Sequence, residues 1–531
     1  MSAPTSLVRT PLATPLFRAL WIATIISNVG TWMNDVGSSW LMTSLSPSPL
    51  WVALVQAATT LPMFLFALPG GALADVVDRR KLLLASQVLI LIGAAALATT
   101  TYLGLTTPLV LLGLTAVMGL GAALGAPAFQ AIVPELVETP ALADAVALNS
   151  LGVNIARAVG PALGGVIVAM AGPVAVYALN AVSILAVLGV IFAWKRQPTT
   201  GALPPEHFLG ALRTGYRYAR HAPALQLVLV RSIAFFLFSS ALWALLPLVG
   251  RRELGLDAAG YGALLGAMGF GAVVGAVVLS RVRKRISANR LSIIASLAFA
   301  VATFALARAE NAWIAGGVMV LAGLSWITML SGLNIAAQMA VPAWVKARAL
   351  AIYLLVFQGA MTVGSILWGA VATRTDIATT LTIAAVALAV ASAIGLRFRL
   401  PAANAFDLTP SGHWAEPSVA GAPAADRGPV MILIEYRIEP AQVPDFVKAI
   451  QPFRAVRKRD GALTWNIFED AAEPGLVIES FIVPSWLEHL RQHERITHDD
   501  RLTQDDIQRF HIGDQPPVVR HFITPSGRSR S

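Results

Sequence analysis

The chain has 531 residues, of which 56% are hydrophobic and only 13% are charged. This charged fraction is about half that of a soluble globular domain, so the apolar surface exceeds what one water-soluble core can bury. The formal charge of +10 does not indicate a nucleic-acid partner, because most basic residues lie in short loops between apolar tracts, and the lack of cysteine excludes a disulfide framework.

Apolar tracts follow one another through the first 400 residues. A helix that crosses a bilayer needs about 20 mainly apolar residues. Twelve tracts meet this length, at 18–42, 50–73, 81–103, 107–129, 144–170, 173–194, 225–249, 260–280, 291–307, 312–338, 348–372 and 378–396. We therefore expect an all-α polytopic membrane protein with the lipid bilayer as its main partner.

The basic residues between the tracts predict the orientation of the chain. One side carries most of them, including Arg79, Arg80, Lys81, Lys195, Arg196, Arg281, Arg283, Lys284, Arg285, Lys346 and Arg348. The opposite loops carry Arg251, Arg252, Arg308 and Arg374. Because basic loops stay in the cytoplasm, we expect a protein of the cell inner membrane with both termini cytoplasmic.

The longest polar stretch between tracts divides them into six and six. We predict a six-helix bundle at 1–194, a cytoplasmic central loop at 195–222 and a second six-helix bundle at 223–399. Two such halves suit a transporter that rocks about a central site.

The loop after the second tract reads GALADVVDRRK from Gly71 to Lys81. It resembles the signature of the major facilitator superfamily, which implies a 12-helix 6+6 fold and transport by alternating access. Gly71 would permit close helix approach, and the charged residues would form a cytoplasmic latch; simple anchoring by positive charge is the alternative. The motif residues are Gly71, Asp75, Asp78, Arg79 and Arg80.

A second resemblance lies in the fifth tract. Gly160, Pro161, Gly164 and Gly165 resemble a motif of proton-antiporting exporters, where small residues let the halves meet, although plain packing explains them too. Together with PAFQAIVPELV from Pro127 and ARALAIY from Ala347, they resemble the enterobactin-exporter-like branch. This resemblance implies proton-coupled export of a small amphipathic compound, such as a siderophore or a drug.

Polar residues inside the apolar tracts are candidates for the transport site. Asp35 and Arg157 lie about 25 and 20 Å from the cytoplasmic edge by helix rise, so they could pair in a central cavity, with Asp35 as the proton carrier. A fixed structural pair is the alternative. For Arg231 we weigh snorkelling toward the cytoplasm, and for Asn154 and Gln358 interhelical hydrogen bonding, against a place in the cavity.

The end of the chain resembles an ordinary soluble protein. Residues 400–429 are rich in Pro, Ala and Gly, which predicts a flexible linker, and 430–531 alternate in a βαββαβ pattern typical of a ferredoxin-like α+β domain. This domain resembles dimeric α+β barrel proteins. A monooxygenase-like enzyme, a dimerising module and a regulatory ligand-binding module remain open.

His489 and His493 share one helix face, and His498 follows. This spacing can bind a metal, but the surrounding charges favour a solvated face, so we predict no metal and no catalytic residue. We also predict no cofactor. The expected partners are a small-molecule substrate, protons and a second copy bound through the C-terminal domain.

Overall fold

The computed structural model describes residues 11–194, 208–400, 407–414, 424, 426–513 and 515–525. They form two compact units. The first contains the described residues before 206 together with 229–334 and 353–400, and the second contains those of 206–228, 335–352 and 401–531. Parts of the predicted central loop and linker, at 195–207, 401–406, 415–423 and 425, lie outside the described residues.

Five long helices precede the central loop: α1 (Pro15–Leu45), α2 (Pro49–Val76), α3 (Arg79–Tyr102), α4 (Pro108–Leu136) and α5 (Leu142–Ala193). Proline opens α1, α2 and α4, where its fixed φ suits a helix start and its missing N–H costs no bond. The Asp78 carboxylate caps α3 by accepting a hydrogen bond from the Lys81 backbone N–H at 3.0 Å. α5 is interrupted at Gly172, whose φ of +77° favours glycine.

The remaining helices of the apolar region begin after α6 (Phe208–His221). They are α7 (Pro223–Leu248), α8 (Ala258–Val282), α9 (Ala288–Leu306), α10 (Ala312–Met339), α11 (Lys346–Arg374), α12 (Ile377–Ser392) and the short α13 (Ile394–Arg397). Side-chain caps fix several starts. Asp257 accepts from the Gly260 N–H at 2.8 Å, and Asp376 accepts from the Thr379 N–H at 2.7 Å.

Ten helices in the described part of the chain are long and apolar enough to cross a membrane. α5, with 52 residues, is one of the ten, and α1, which carries Asn28, Asn34 and Asp35, is not among them. The first predicted tract lies on α1 and the other eleven overlap the ten candidate spans, two of them on the two arms of α5. Large apolar side chains such as Trp313, 92% exposed, face outward. The protein is therefore a multi-pass membrane protein.

The C-terminal region contains a small antiparallel sheet with helices on one face. Its elements are β1 (Val430–Arg437), α14 (Val443–Arg459), β2 (Thr464–Glu469), β3 (Leu476–Val483), α15 (Trp486–Arg495), α16 (His498–Gln508) and β4 (Val518–Ile523). The strand order is β2-β3-β1-β4. Phe446, Ile450 and Phe453 of α14 pack on the sheet in its core.

Part of the predicted flexible linker is held against this domain. The Ser411 N–H donates to the Ile496 carbonyl at 3.0 Å, and the indole N–H of Trp414 donates to Gln504 Oε1 at 2.8 Å. Pro410 forms a bridge with Thr497. The prediction of a flexible linker is therefore wrong for 407–414, because Trp414 supplies an apolar ring that the domain core accepts.

Candidate transport site

We call the end of the first unit at which α1 begins the near end, and the opposite end the far end. Helices of the two halves touch in their far portions. α5 approaches α8 so closely that a Cβ added to Gly165 would lie 2.7 Å from the Gly262 Cα atom. α2 meets α11, where the hydroxyls of Thr60 and Thr362 lie 2.7 Å apart. These contacts close the far end between the halves.

Arginines that follow α7 add to this closure. Arg251 donates hydrogen bonds of 2.8 Å to the hydroxyls of Thr43 and Ser44 at the end of α1. Arg252 donates to the Pro47 carbonyl at 2.6 Å. The end of α1 is thereby tied to the second half.

Next to the α5–α8 contact, a narrow cavity of about 10 Å³, with room for about one water molecule, lies between the halves. Its lining consists of Trp32, Arg157, Pro161, Trp243, Leu265, Met268, Gly269, Ala272 and Trp326. None of these side chains carries an oxygen. The cavity therefore offers aromatic faces and N–H donors but no carboxylate.

Arg157 is the charged group of this cavity. Its guanidinium carbon lies 5.7 Å from the centroid of the Trp32 ring, and its Nε–H is buried without a hydrogen-bond partner among the described residues. The indole N–H of Trp243 is likewise unpartnered within the described part of the chain. Buried donors without partners cost free energy, more so when charged, so both are set up to meet an acceptor.

The predicted pair between Asp35 and Arg157 is not formed. No ion pair joins them among the described contacts; instead the Tyr177 ring packs against α1 at Gly37, where an added Cβ would lie 3.3 Å from a ring carbon. Tyr261 also stacks on Trp40 with 5.8 Å between ring centroids. Estimating depth from helix rise missed this, because the two arms of α5 bring Tyr177 beside α1.

Sequence reasoning also missed an aromatic cluster that contributes to the cavity wall. Trp326 is at its centre, 5.2 Å from Trp243 and 5.4 Å from Phe236 between ring centroids. Its other members are Phe235, Phe299 and Phe357. The concentration of aromatic residues in the seventh tract was the signal that could have indicated it.

The exporter-like motif packs helices together. A Cβ on Gly160 would lie 2.6 Å from the Trp32 Cβ, and one on Gly164 would lie 2.8 Å from the Met33 Cα. Pro161 lines the cavity. These residues thus position both α1 and α8 against α5, as small residues do between membrane helices.

The loop motif bonds within the first half. Arg79 pairs with Glu135 of α4 at 2.7 Å, and Arg80 donates to the carbonyls of Ile191 and Phe192 at 3.0 and 2.6 Å. No described atom lies within 4 Å of a Cβ placed on Gly71, so the predicted close approach there is wrong. The side chain of Asp75 lies outside the described residues.

The other predicted cavity residues lie elsewhere. Arg231 is 5% exposed and donates to Asn289 at 2.7 Å and to Ser292 at 2.6 Å, so it neither snorkels nor lines the cavity. The described bond of Asn154 is to Ser150 of its own helix at 2.9 Å, not between helices. Gln358 does not line the cavity and is half-buried.

The histidines of the C-terminal domain do not form a solvated face. His489 is 2% exposed, and its ring centroid lies 4.9 Å from that of His493 and 4.7 Å from that of His521. His498 lies apart, where it contacts Thr409. Among the described residues no three side chains are placed to hold a metal ion.

The two halves around a central cavity define a membrane transporter of the major facilitator type. Solved structures share this fold. A bacterial homolog of the human lysosomal transporter Spinster, in an inward-facing and unoccupied conformation, matches at 13% identity with a TM-score of 0.59. The match covers 73% of this chain and 97% of that one. A POT family transporter in complex with a thioalcohol conjugated peptide matches at 14% identity and TM-score 0.61, covering 72% and 95%. At these identities the likeness concerns the fold alone.

The family follows from a longer match. The chain belongs to the transmembrane secretion effector family, whose profile matches residues 6–530, C-terminal domain included. It is 27% identical over 325 residues to the enterobactin exporter EntS of Salmonella typhimurium, covering 60% of this chain and 76% of that protein. It is 29% identical over 143 residues to the staphyloferrin A transporter of Staphylococcus aureus, covering 27% and 36%.

Proposed function

We propose that the protein is a secondary active exporter that moves a small amphipathic compound, of the siderophore or drug type, out of the cell by alternating access. Adding α1 to the ten candidate spans, and counting the two arms of α5 as two crossings, would give twelve crossings. Both termini would then be cytoplasmic in the inner membrane. The near end would face the cytoplasm.

One observation carries this proposal: a donor-lined cavity between two halves that are closed at the far end. The Thr60–Thr362 and Gly165–Gly262 contacts support an inward-open conformation. Rocking the halves would break them and open the far end. The relatives named as an enterobactin exporter and a staphyloferrin A transporter support export of a siderophore-like compound.

The cavity lining supports an amphipathic substrate that carries acceptors or negative charge. Arg157 has no carboxylate beside it in the lining, which it shares with three tryptophans. Once movement of the halves widens the cavity, an acidic group would satisfy the guanidinium, and an apolar ring would stack on the indoles. A substrate without either group would leave the buried charge unpartnered.

Proton coupling is proposed for Asp35. The carboxylate lies in the second half of α1, without a basic partner among the described contacts. An acid in such a place can alternate between neutral and charged forms as access changes, so a proton gradient would favour one conformation.

Transport by the purified full-length protein in liposomes tests the function. Enterobactin and the anionic, membrane-impermeant dye calcein serve as probes, with an imposed pH gradient. We expect saturable movement of at least one probe that stops when the gradient is collapsed. Movement of both probes equal to that in protein-free liposomes would contradict the proposal.

Orientation needs a separate experiment. Alkaline phosphatase fused after Ser531 should be inactive in cells, because the enzyme folds only in the periplasm, whereas a fusion in the Arg251–Arg252 turn should be active. The reverse pattern would contradict the proposed topology.

For the C-terminal domain we propose a ferredoxin-like fold that pairs with a second copy through its sheet. Val477, Glu479 and Phe481 of β3 face the helices, so Ile478 and its neighbours lie on the other face. Phe468 and Phe522 on that face are 57% and 46% exposed. Phe468→Ser should convert a nanodisc-embedded dimer into a monomer; an unchanged mass would contradict the pairing.

A further inference from the structure

An ion-pair network joins the C-terminal domain to α6. Glu488 of α15 accepts a hydrogen bond from Arg495 at 2.6 Å and one from Arg217 of α6 at 3.2 Å. Arg217 also donates to the Arg459 carbonyl at 3.4 Å. Burial favours the neutral acid, but the guanidinium groups of Arg495 and Arg217 hold the pKa of Glu488 below its usual range. The group is therefore charged at neutral pH.

Two aromatic rings complete this contact. Arg495 stacks on Trp344 with 4.5 Å from guanidinium carbon to ring centroid, and Arg459 lies 5.7 Å from the Tyr218 centroid. Tyr218 meets Trp344 edge-on at 5.7 Å. Tyr218 and Arg495 are only 2% and 5% exposed, so the contact is desolvated. We call these residues, Arg217, Tyr218, Trp344, Arg459, Glu488 and Arg495, the clamp.

The backbone of the domain makes room for the clamp. Gly461 has a φ of +130°, a conformation that side chains rarely adopt. A Cβ there would lie 3.1 Å from Glu488 Oε1 and 3.5 Å from Arg217 Nη2. Glycine is thus required at the point where the ion pair passes the chain.

The clamp touches the elements that lead into three membrane helices. α6 runs into α7, and Trp344 lies in the turn Ala343–Val345 between α10 and α11. Three near ends belong to the same compact unit as the C-terminal domain: that of α7 up to residue 228, that of α10 from residue 335, and that of α11 up to residue 352. These ends therefore cannot shift relative to one another without disturbing the clamp.

We propose that the C-terminal domain is a built-in regulator of the transport cycle, which holds the near ends of α7, α10 and α11 in the conformation open at the near end. This rests on the proposed function. The clamp is formed in the same structure in which the far-end contacts of Thr60 with Thr362 are closed. In this proposal, closing the near end shifts these helix ends relative to one another, so loosening the clamp favours the near-closed conformation.

The absence of cysteine from the chain permits a direct test. Cysteines at Lys81 and Arg285, both exposed beside near ends of opposite halves, carry spin labels on the full-length protein in nanodiscs. Electron–electron distances then report near-open and near-closed populations. Arg217→Gln and Trp344→Leu change the clamp from outside the C-terminal domain and spare its core.

We expect each variant to raise the near-closed population about threefold. Adding Glu488→Gln to Arg217→Gln should raise this population little further, since both changes remove the same bond. Arg437→Gln is the control, because its pair with Glu473 is 63% and 53% exposed. If near-open and near-closed populations are both present but the clamp variants do not change their ratio, the regulatory role is overturned and the exporter proposal stands. A single population at every pH tested would overturn the exporter proposal with it. If the Trp344→Leu variant does not fold, the result for Arg217→Gln decides whether the clamp has a regulatory role.

Discussion

Arginine has opposite surroundings in the two regions of the molecule. Arg457, in the core of the C-terminal domain, donates to Glu479 at 2.9 and 3.2 Å and lies within 4.9 Å of three ring centroids. Arg157, between the halves of the transporter, has a tryptophan face and a donor without a partner in the described part of the chain. Removing the partner of a satisfied buried charge destabilises a fold, whereas an unsatisfied buried charge is ready for a ligand.

Removing the partner of Arg457 should give the largest effect. Glu479 also accepts from Trp465 and Tyr436, at 2.9 and 3.3 Å. Glu479→Ala leaves the guanidinium buried and unpaired, so we expect a loss of about 3–5 kcal/mol in the free energy of unfolding of the domain. Urea unfolding followed by amide exchange of β1 and β3 measures it.

The control for this change is Glu473→Ala, because Glu473 forms an exposed pair that should contribute less than about 1 kcal/mol. Equal losses for the two variants would show that the buried network contributes no more than a surface pair.

Arg157 should be tested by binding, not by stability. Naproxen and its methyl ester share an aromatic body and differ in charge. Arg157→Gln should weaken naproxen binding about 30-fold, the equivalent of about 2 kcal/mol for a charge-assisted hydrogen bond, and leave the ester unchanged.

Arg308→Gln is the matched control, since Arg308 also lies over an aromatic ring, that of Phe304 at 5.7 Å, but outside the cavity lining. Equal weakening by both variants, or equal weakening for acid and ester, would remove Arg157 from the substrate site.

The clustered histidines of the C-terminal domain, His489, His493 and His521, make the stability of that domain depend on pH. Burial, together with the neighbouring His493 and His521, lowers the pKa of His489 to about 3, and burial lowers that of His493 to about 4. A depressed histidine pKa means that the unfolded chain binds more protons, so stability is full above about pH 6.5 and falls below it, by about 1.4 kcal/mol per pH unit for each group.

Acid titration of domain unfolding between pH 7 and pH 4.5 measures this slope. His489→Phe should make it shallower, whereas His498→Gln, which changes a histidine outside the cluster, should not. A wild-type stability that does not change over this range would contradict neutral, buried histidines.

The apolar tracts predicted the helices, because bilayer thickness sets their length, and alternation predicted the strands of the C-terminal domain. Side-chain partners were harder. Arg157 could be picked as an unusual charge in an apolar tract, but the sequence does not show that α5 is interrupted at Gly172 and brings Tyr177 against Gly37 of α1. Nor does it show that α6 docks on Glu488, because such a pairing joins residues about 270 positions apart.

The central claim, a proton-driven exporter with Asp35 as the proton carrier, is tested most directly by uphill transport in proteoliposomes with an imposed pH gradient. Asn keeps a hydrogen-bonding amide but cannot alternate between charged and neutral forms. We predict that Asp35→Asn abolishes gradient-driven accumulation while probe binding persists. Accumulation by Asp35→Asn at the wild-type rate would contradict the account.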